Sequence, residues 1–478
     1  MPIKLILILA LCRSFIVMCT KSETTMKKSF SDARRNVLKG IGVAATVNIL
    51  PSGMLFGQNK PSEQFRFAKV GCGGKGSADL NLTLQAGAKL VAMCDVDRAR
   101  AAGAIKKHSK VPFYEDYRVM LDKHDKEIDG VVVSTPDHTH ACVALEAIKR
   151  GKHVYVQKPL ARTYEECQQL YEASKKYKVA TQMGNQHHSA QGFKTWQEMF
   201  AQNAIGDITE VHTWCHKSYS AKGGSQKKGQ KAPDTLNWDL WLGPAATREY
   251  AKEYLPFSWR NWWDFGAGAL GDMACHIMDA PFWNLKLGLP DKIIAQAPRP
   301  AKDGYPEWAI VDYTFNKSPV TGKAVKLRWA DGNKGAPKPK GCNPNLDMPN
   351  QGCYIAGSKM TVLCPHPGRP MPVALGDQEY SSAVKDAERH WRAEAKKIKA
   401  QHHYGRWIEA AKSGKFGDAG SNFDYSVPLT QAVLLGCIAQ RFPGQELHWD
   451  QEKKQFSNHA EANKWLSFTA RSGFSIKA

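Results

Sequence analysis

Lys158 has the type and position for proton transfer at a hydroxyl group. It precedes Pro159, and a residue before proline is biased away from helical geometry, so it can remain at the edge of a sheet. There its ammonium can stabilise an alkoxide, or help to remove a hydroxyl proton if burial and a neighbouring positive charge lower its pKa. On local grounds alone, a solvated lysine after a strand is an equally good interpretation.

Asp272 and His276 form a second candidate for acid–base chemistry. They lie four positions apart in the segment GALGDMACHIMD, where helical geometry places both on one face. We expect His276 to titrate near neutral pH, with Asp272 orienting or charging it. The spacing is common, and by itself a capping aspartate beside a core histidine explains it better.

A glycine-rich turn upstream has the spacing of a dinucleotide-binding loop. Residues 71–76 read G-x-G-x-x-G, directly after an apolar run at 65–70. Gly71 permits the tight turn, Gly73 lets the backbone approach a pyrophosphate, and Gly76 lets the next helix pack closely on the strand. An ordinary loop is the alternative, whereas a P-loop is excluded because its Lys-Ser/Thr pair is missing.

The acidic residue that such a loop requires is also present. A second strand pattern ends at Asp95, roughly 20 residues beyond the last glycine, where a carboxylate can accept hydrogen bonds from a ribose 2′-hydroxyl. The same carboxylate would repel a 2′-phosphate. The pattern therefore favours NAD over NADP, although Arg98 and Arg100 lie close enough to keep NADP open.

Strands and helices alternate in this part of the chain, as in a doubly wound parallel sheet of the Rossmann type. Strands are expected at 65–70, 88–94, 111–114, 130–134, 153–156 and 179–183, with helices at 77–85, 98–107, 117–122, 138–150 and 164–176. Ligands bind at the carboxyl ends of the strands in such sheets. We therefore assign cofactor binding to Gly71, Gly73, Gly74, Gly76, Asp95, Ser134, Thr135, Pro136, Gln157 and Lys158.

The pattern changes beyond Gly184. Strands are expected at 209–216, 308–315, 325–329 and 359–363, without regular helices between them. This indicates a C-terminal α+β domain with a largely antiparallel sheet. We predict a leader and linker over 1–60, an NAD-binding domain over 64–184, a substrate-binding and catalytic domain over 185–456, and a C-terminal tail over 457–478. Five tryptophans between 237 and 264 are more simply core than a sugar platform.

The N-terminus carries features of an export signal. Residues 31–39, SDARRNVLK, resemble a twin-arginine signal, and the apolar stretch at 41–50 follows them. We expect export in a folded state, to the periplasm, with translation starting at Met1 or Met26 and a cytoplasmic protein as the alternative. Two apolar stretches open the chain, at 5–19 and 41–56, and both are short for a membrane span.

Composition limits the remaining classes of function. A chain of 478 residues is expected to form at least two domains. It carries 66 Lys and Arg against 45 Asp and Glu, a formal net charge of +21. These basic residues are scattered or lie in Gly/Pro-rich loops, so solvated loops explain the charge better than nucleic-acid binding does. The 12 cysteines include no C-x-x-C motif, and we predict no metal site.

Together these motifs resemble the Gfo/Idh/MocA oxidoreductase family, the group of glucose-fructose oxidoreductase and inositol dehydrogenase. The likeness runs from about Phe65 to Trp449 and rests on the glycine loop, S-T-P-D-H-T-H at 134–140, Q-K-P at 157–159, the antiparallel domain and D-x-x-x-H at 272–276. It implies catalytic roles for Lys158, Asp272 and His276, with His276 as the general base. It also implies that Thr135, Pro136 and His140 lie along the cofactor. The chain departs at Gln157, where the family has Glu.

The resemblance implies oxidation or reduction of a secondary hydroxyl of a sugar, sugar acid or cyclitol with NAD, in a homo-oligomer. We expect substrate contacts from Asn185, Gln186, His187, Trp259 and Arg260. Because an exported enzyme cannot easily recycle free NAD, we expect the cofactor to be tightly bound. Two alternatives remain: a glycoside hydrolase or lyase that uses bound NAD in an oxidation, elimination and reduction cycle, and a non-catalytic periplasmic protein that binds a sugar or nucleotide.

Overall fold

The computed structural model describes residues 64–220, 229–373 and 382–474. The leader expected over residues 1–60, with its twin-arginine motif, lies outside the described residues. Within the described ranges, no helix combines the length and apolar character that crossing a bilayer requires. The cysteines of these ranges are all unbridged.

A six-stranded parallel sheet forms the first half of the described chain. Its strands are β1 (Arg66–Val70), β2 (Lys89–Cys94), β3 (Phe113–Tyr114), β4 (Gly130–Val133), β5 (His153–Val156) and β6 (Thr181–Met183). They lie in the order β3-β2-β1-β4-β5-β6. The connecting helices are α1 (Lys75–Gln85), α2 (Arg98–Lys107), α3 (Tyr117–His124), α4 (Asp137–Lys149) and α5 (Tyr164–Tyr177). The predicted Rossmann sheet is confirmed.

The strand order reverses between β1 and β4, which are neighbours in the sheet. All four residues of β4 are buried, as expected of a strand that is covered on both faces. Chain segments leaving two such strands diverge to opposite sides and open a crevice at their carboxyl ends. The glycine loop follows β1 and Ser134 follows β4, so both predicted cofactor segments lie at this crevice.

A nine-stranded sheet forms the second half. Its strands are β7 (Ile208–Cys215), β8 (Lys292–Gln296), β9 (Ile310–Phe315), β10 (Val325–Ala330), β11 (Gln351–Gly357), β12 (Thr361–Pro365), β13 (Met371–Val373), β14 (Glu446–Asp450) and β15 (Gln455–Phe456). The order is β13-β12-β11-β7-β10-β9-β8-β14-β15. Neighbouring strands are antiparallel except β7 and β10, which pair in parallel. The largely antiparallel second sheet is confirmed.

Helices of this half join the two sheets. They are α6 (Gln191–Ala201), α7 (Trp238–Leu242), α8 (Gly268–Ile277), α9 (Asp279–Asn284), α10 (Ser382–Lys397), α11 (His403–Ser413), α12 (Phe423–Ala439) and α13 (Ala460–Asn463). Nearly all of α12 is buried, as expected of a helix that is apolar on every side. It packs against α5 of the first half and α8 of the second. The helix that carries Asp272 and His276 is thereby fixed to the Rossmann sheet.

The residues after β15 pack on the first half of the chain. The Glu165 N–H donates to the Leu466 carbonyl at 3.0 Å, and the Arg162 guanidinium lies 4.2 Å from the centre of the Phe468 ring. Phe474 is buried. The segment predicted as a C-terminal tail is therefore, as far as residue 474, in contact with the Rossmann domain.

Candidate active site

The glycine loop forms one wall of a cavity of about 250 Å³. Gly71 has φ of +81°, and a Cβ there would lie 2.5 Å from the Ser134 carbonyl oxygen, so only glycine lets the chain turn here without strain. A Cβ on Gly76 would lie 2.0 Å from the Gly71 carbonyl oxygen. Gly76 therefore supports the loop from behind, whereas Gly71, Gly73 and Gly74 line the cavity.

Other elements complete the cavity. Its lining includes Asp95, Arg100, Ser134, Thr135, Pro136, Trp241, Phe257, Trp259, Arg260 and Phe474. Trp241 and Trp259 belong to a buried aromatic cluster with Trp262 and Phe265. The tryptophan-rich segment is thus mainly core, as expected, but one edge of it closes the cofactor cavity.

Asp95 lies at the end of β2 and braces the loop. Its Oδ2 accepts a hydrogen bond from the Cys72 N–H at 2.7 Å, and its Oδ1 accepts one from the Asp97 N–H at 3.0 Å. Burial raises the pKa of Asp95, and these backbone donors oppose that rise. Each carboxylate oxygen keeps a lone pair, so Asp95 can also accept from a ribose hydroxyl.

The two arginines beside Asp95 differ in position. Arg98 pairs with Glu115 at 2.7 Å. Arg100 lines the cavity. Of the pair, Arg100 is therefore the one placed to meet a 2′-phosphate.

Asp79 on α1 holds the ends of two strands together below the loop. It is fully buried and accepts hydrogen bonds from Ser134 Oγ at 2.6 Å, Gln157 Nε2 at 2.8 Å and the Tyr404 hydroxyl at 2.6 Å. Gln157 therefore contacts Asp79 and does not line the cavity, contrary to the assignment from sequence. A glutamate in its place would put two carboxylates together, which is costly, so the departure at Gln157 fits the presence of Asp79.

His140 is a second correction to the predicted cofactor contacts. The sequence places it along the cofactor, whereas the side chain is buried behind the strand ends. Its ring nitrogens lie 2.8 Å from the Pro159 carbonyl oxygen and 2.9 Å from that of Thr135. Burial lowers the pKa of His140 to about 4. A neutral imidazole has a single N–H, so His140 donates to one of these two carbonyl oxygens and only packs against the other.

Lys158 and Asp272 form a buried ion pair at the carboxyl edge of the Rossmann sheet. The Lys158 ammonium donates to Asp272 Oδ1 at 2.8 Å and to the Asp272 carbonyl oxygen at 2.7 Å. Arg260 Nε donates to Oδ1 at 2.9 Å, and the Tyr219 hydroxyl donates to Oδ2 at 3.1 Å. Lys217 Nζ lies 3.5 Å from Oδ2. The fold thus brings two of the three predicted catalytic residues into direct contact.

The charge of Asp272 is fixed by these neighbours. Burial would raise the pKa of Asp272, but the positive charges of Lys158, Arg260 and Lys217 outweigh it and hold that pKa well below its usual range. Asp272 is therefore an anion throughout the physiological pH range. It orients cations rather than exchanging a proton.

Asp137 is an ionisable group of the site in which the effect of burial on the pKa outweighs that of the nearby positive charges. It accepts a hydrogen bond from the Ala267 N–H at 3.1 Å. Burial raises the pKa of Asp137 to about 7, although Arg260 and Lys158 oppose the rise. Asp137 therefore titrates near neutral pH, the behaviour that the sequence had assigned to His276.

His276 lies in a group of three histidines. Ligand atoms of His187, His276 and His366 lie within 4.8 Å of one another. Burial lowers the pKa of His276 well below its usual value, and Lys158, His366 and His187 add to the effect. The expected titration near neutrality is therefore wrong. In the described part of the chain Asp272 bonds to Lys158 and its other neighbours rather than to His276, so Asp272 does not orient the ring either.

The five predicted substrate residues have different surroundings. His187 lines a separate cavity, the histidine cavity, together with His276 and His366. Trp259 and Arg260 line the glycine-loop cavity, with the guanidinium 4.0 Å from the centre of the Trp259 ring. Asn185 is fully buried, and neither polar atom of its amide has a partner among the described residues. Gln186 donates to the Tyr155 hydroxyl at 2.9 Å, so it supports the sheet edge instead.

Sequence reasoning missed four residues of the site: Asp137, Lys217, Tyr219 and His366. Asp137 lies inside the 134–140 motif already singled out. Lys217 and Tyr219 follow β7, and His366 follows β12. Their position just beyond predicted strands could have marked them as candidates. No local pattern, however, showed that these strand ends lie beside α8.

The cavity suits a dinucleotide. The loop presents backbone without side chains at the N-terminus of α1, where unpaired N–H groups favour a pyrophosphate, and a Cβ would fill the space at Gly71. Asp95 supplies free lone pairs at the end of β2. The residues present therefore fit the cofactor that the fingerprint predicts.

Comparison with known proteins bears on family and fold. Residues 65–185 match the model described as the oxidoreductase family, NAD-binding Rossmann fold, of the Gfo/Idh/MocA group. Residues 201–341 match the C-terminal alpha/beta domain of the same oxidoreductase family. The first range spans β1 to β6 and the second spans β7 to β10, and NAD as the predicted cofactor is confirmed.

Individual relatives match over shorter stretches. Inositol 2-dehydrogenase of Salmonella typhimurium is 31% identical over 128 residues, which cover 26% of this chain and 38% of that enzyme. An alpha-N-acetylgalactosaminidase of Shewanella oneidensis is 29% identical over 228 residues, covering 40% of this chain and 49% of that protein.

A solved structure matches over most of the fold. An inositol dehydrogenase homologue from Azotobacter vinelandii, complexed with NADH and myo-inositol, shares 17% identity with a TM-score of 0.53, covering 81% of this chain and 98% of that one. That likeness is one of fold. Because the two family models follow one another along the chain and together match more than half of it, this protein belongs to the Gfo/Idh/MocA family of oxidoreductases.

Proposed function

We propose that the protein is an NAD-dependent oxidoreductase acting on a secondary hydroxyl of a sugar, sugar acid or cyclitol. The observation that carries the proposal is the ion pair of Lys158 and Asp272, which also binds Arg260 of the glycine-loop cavity. A pair in this place can hold a substrate oxygen beside the nicotinamide end of a dinucleotide. The inositol and levoglucosan dehydrogenases among the relatives support this substrate class.

Bound NAD would supply a hydride acceptor. Gly71, Gly73 and Gly74 would hold its pyrophosphate and Asp95 its ribose, because these groups line the cavity. Lys158 makes two hydrogen bonds to Asp272, and an ammonium has three donors. Its third N–H can therefore bind the substrate oxygen and stabilise negative charge there.

The proton of the substrate hydroxyl needs an acceptor. His276 is neutral because its pKa is lowered, and its Nδ1 is buried without a partner among the described residues. We assign the proton to His276 and the oxyanion to Lys158. Asp272 is the positioning residue that fixes Lys158 and Arg260.

A second candidate is glycoside cleavage with bound NAD. In that cycle a hydroxyl is oxidised, the ketone acidifies the neighbouring C–H, the aglycone leaves by elimination, and the hydride returns after water adds. The Shewanella oneidensis alpha-N-acetylgalactosaminidase and a glycosyl hydrolase family 109 protein of Solibacter usitatus support it. Export by the twin-arginine motif, which we also propose, would require the cofactor to be captive.

The central test replaces Lys158 with methionine, which keeps length and removes charge. We expect turnover to fall by about 10²–10⁴-fold, the range for loss of an acid–base group, while NAD affinity, measured by fluorescence titration, stays within a factor of a few. Lys106→Met is the matched control because Lys106 is exposed on α2. Full activity in Lys158→Met would exclude the assigned mechanism, whereas a wild type that binds NAD but turns over no sugar or cyclitol would favour a non-catalytic binding protein.

The two candidate reactions differ in what they release. Mass spectrometry of the protein before any cofactor is added measures captive NAD. Net NADH formation with a free sugar or cyclitol supports the dehydrogenase. Release of an aglycone without added NAD supports the cleavage cycle instead.

A further inference from the structure

Three histidines from separate elements converge on one cavity. His187 lies in a 3₁₀ turn after β6, His276 lies on α8, and His366 follows β12. One potential ligand atom of each lies within 4.8 Å of the other two. The rings of His187 and His366 are 4.6 Å apart, and those of His276 and His366 are 5.3 Å apart, between centres.

These rings are not fully satisfied by the surrounding protein. Nδ1 of His187 and Nδ1 of His276 are buried and have no hydrogen-bond partner among the described residues. A buried polar atom without a partner costs roughly 1–3 kcal/mol. Two such atoms in one histidine cluster point to a ligand that the cluster is built to bind.

The protonation state of the cluster suits a metal. Burial lowers the pKa of all three rings, that of His366 to about 3. Neutral imidazole is the form that binds metal ions, so no proton has to be displaced at neutral pH.

The charges around the cluster are mixed. Lys158 and Lys217 act on His366 as positive charges, which disfavours a cation. Both lysines pair with Asp272, and buried Asp279 acts on His187 as a negative charge. The two carboxylates oppose the two lysines, while Lys75 acts on His187 as a further positive charge.

We propose that His187, His276 and His366 bind one divalent transition-metal ion, with Zn²⁺ as the best match. Three imidazoles and an open fourth position are a known arrangement of catalytic zinc. His276 lies one helical turn from Asp272 on α8, so the cluster neighbours the Lys158–Asp272 pair.

The role of the ion in the reaction rests on the proposed function. As a Lewis acid it would stabilise negative charge on the substrate oxygen or on an enolate formed during elimination. His276 would then be a ligand instead of the base, and the hydroxyl proton would pass to a water molecule while Lys158 stays paired with Asp272. The metal site itself rests on the three histidines alone.

The test uses the full-length protein after treatment with EDTA. Titration with Co²⁺ should show one ion per chain, with the visible absorption of a low-coordinate site, and Zn²⁺ should displace it. His366→Ala should weaken Co²⁺ binding by more than about 100-fold, since loss of an outer partner alone costs 10–100-fold. His390→Ala is the control, because His390 is exposed on α10.

NAD affinity of His366→Ala reports whether the variant is folded, since His366 lies outside the glycine-loop cavity. Should His366→Ala fail to fold, His187→Gln is titrated in its place. Absence of stoichiometric Co²⁺ binding in the wild type, or wild-type binding in a folded variant, would overturn the site. Lys158→Met separates the two proposals: it should bind Co²⁺ normally while its turnover falls by about 10²–10⁴-fold. Full turnover by metal-free protein would overturn the role of the ion in the reaction.

Discussion

Asp137 and Asp272 show how neighbours set the charge of a carboxylate. Both are buried. Asp272 touches three cations and stays ionised, whereas Asp137 accepts one backbone N–H and has a pKa raised to about 7. Two aspartates of one site therefore differ in protonation at the same pH.

Asp137→Asn should change the pH dependence of stability. The folded state holds the Asp137 proton up to about pH 7, and the unfolded state releases it near pH 4. Wild-type stability is therefore lost as the pH rises between these values, by roughly 4 kcal/mol at most. Asparagine keeps an oxygen acceptor and does not titrate. The free energy of unfolding of the variant should therefore rise relative to that of wild type as the pH increases through this window.

Urea unfolding from pH 4 to 8 measures the difference. Asp234→Asn is the control, because Asp234 is exposed. If the free energies of unfolding of wild type and Asp137→Asn differ by a constant amount from pH 4 to 8, Asp137 does not hold a proton in the folded state.

Asp95→Asn should shift the choice of cofactor. The amide keeps one acceptor for the Cys72 N–H but removes the charge that repels a 2′-phosphate, and Arg100 lines the same cavity. Loss of a hydrogen bond to a charged group costs roughly 1.5–3 kcal/mol. The ratio of NAD to NADP affinity should fall by about tenfold or more in fluorescence titrations. An unchanged ratio would mean that Asp95 only braces the loop.

At the scale of elements, α1, β4, β5 and α11 meet at Asp79. Ser134 follows β4, Gln157 follows β5 and Tyr404 lies on α11, and all three donate to the same carboxylate. The carboxyl ends of two Rossmann strands are thus tied to a helix from the far end of the chain. This fixes the positions from which Thr135 and Lys158 project.

Gln157→Glu should disrupt this junction. It replaces the amide that donates to Asp79 at 2.8 Å with a second carboxylate. The facing oxygens then lack a donor, which should lower the free energy of unfolding by roughly 1–3 kcal/mol. The loss should shrink in acid, where one carboxyl is protonated. The double variant Gln157→Glu with Asp79→Asn restores a donor and should recover part of the stability in urea unfolding.

Gln202→Glu, at an exposed position after α6, is the matched control. A Gln157→Glu protein as stable as wild type at pH 7 would show that Asp79 does not require a donor there.

The Rossmann elements were predictable because their signals are local. The strand expected at 153–156 is β5, and the one expected at 65–70 differs from β1 by one residue. Strands β8 and β11 carry no comparable pattern, and the parallel pairing of β7 with β10 joins segments far apart in sequence. Lys158 and Asp272 were found by motif, but Lys217, Tyr219 and His366 reach the site only through tertiary contacts.

The whole molecule has a continuous core. Buried residues from both sheets and from α12 form one hydrophobic cluster. All the tryptophans lie at position 196 or beyond, but they report on both halves, because Trp407 packs against Phe65 and Tyr155 of the first half. The shared core should couple the two halves during unfolding.

Cofactor binding should therefore protect both halves together. For protein freed of nucleotide, NAD at 100 times its Kd should raise the free energy of unfolding by about 2.7 kcal/mol. Tryptophan fluorescence and circular dichroism should show one transition that moves to higher temperature, and NADP at the same concentration should shift it less. Two separate transitions, of which NAD moves only one, would mean that the halves unfold independently.

The wall of the glycine-loop cavity has a consequence for inheritance. It contains Trp241, Trp259 and Phe474, from well beyond the 65–185 stretch that carries the fingerprint. Residues 65–185 transferred alone into another gene would form an incomplete nucleotide-binding cavity, because Trp241, Trp259 and Phe474 would be absent. Residues that are far apart in sequence line the same cavity, so a recombination event has to keep them compatible to preserve it.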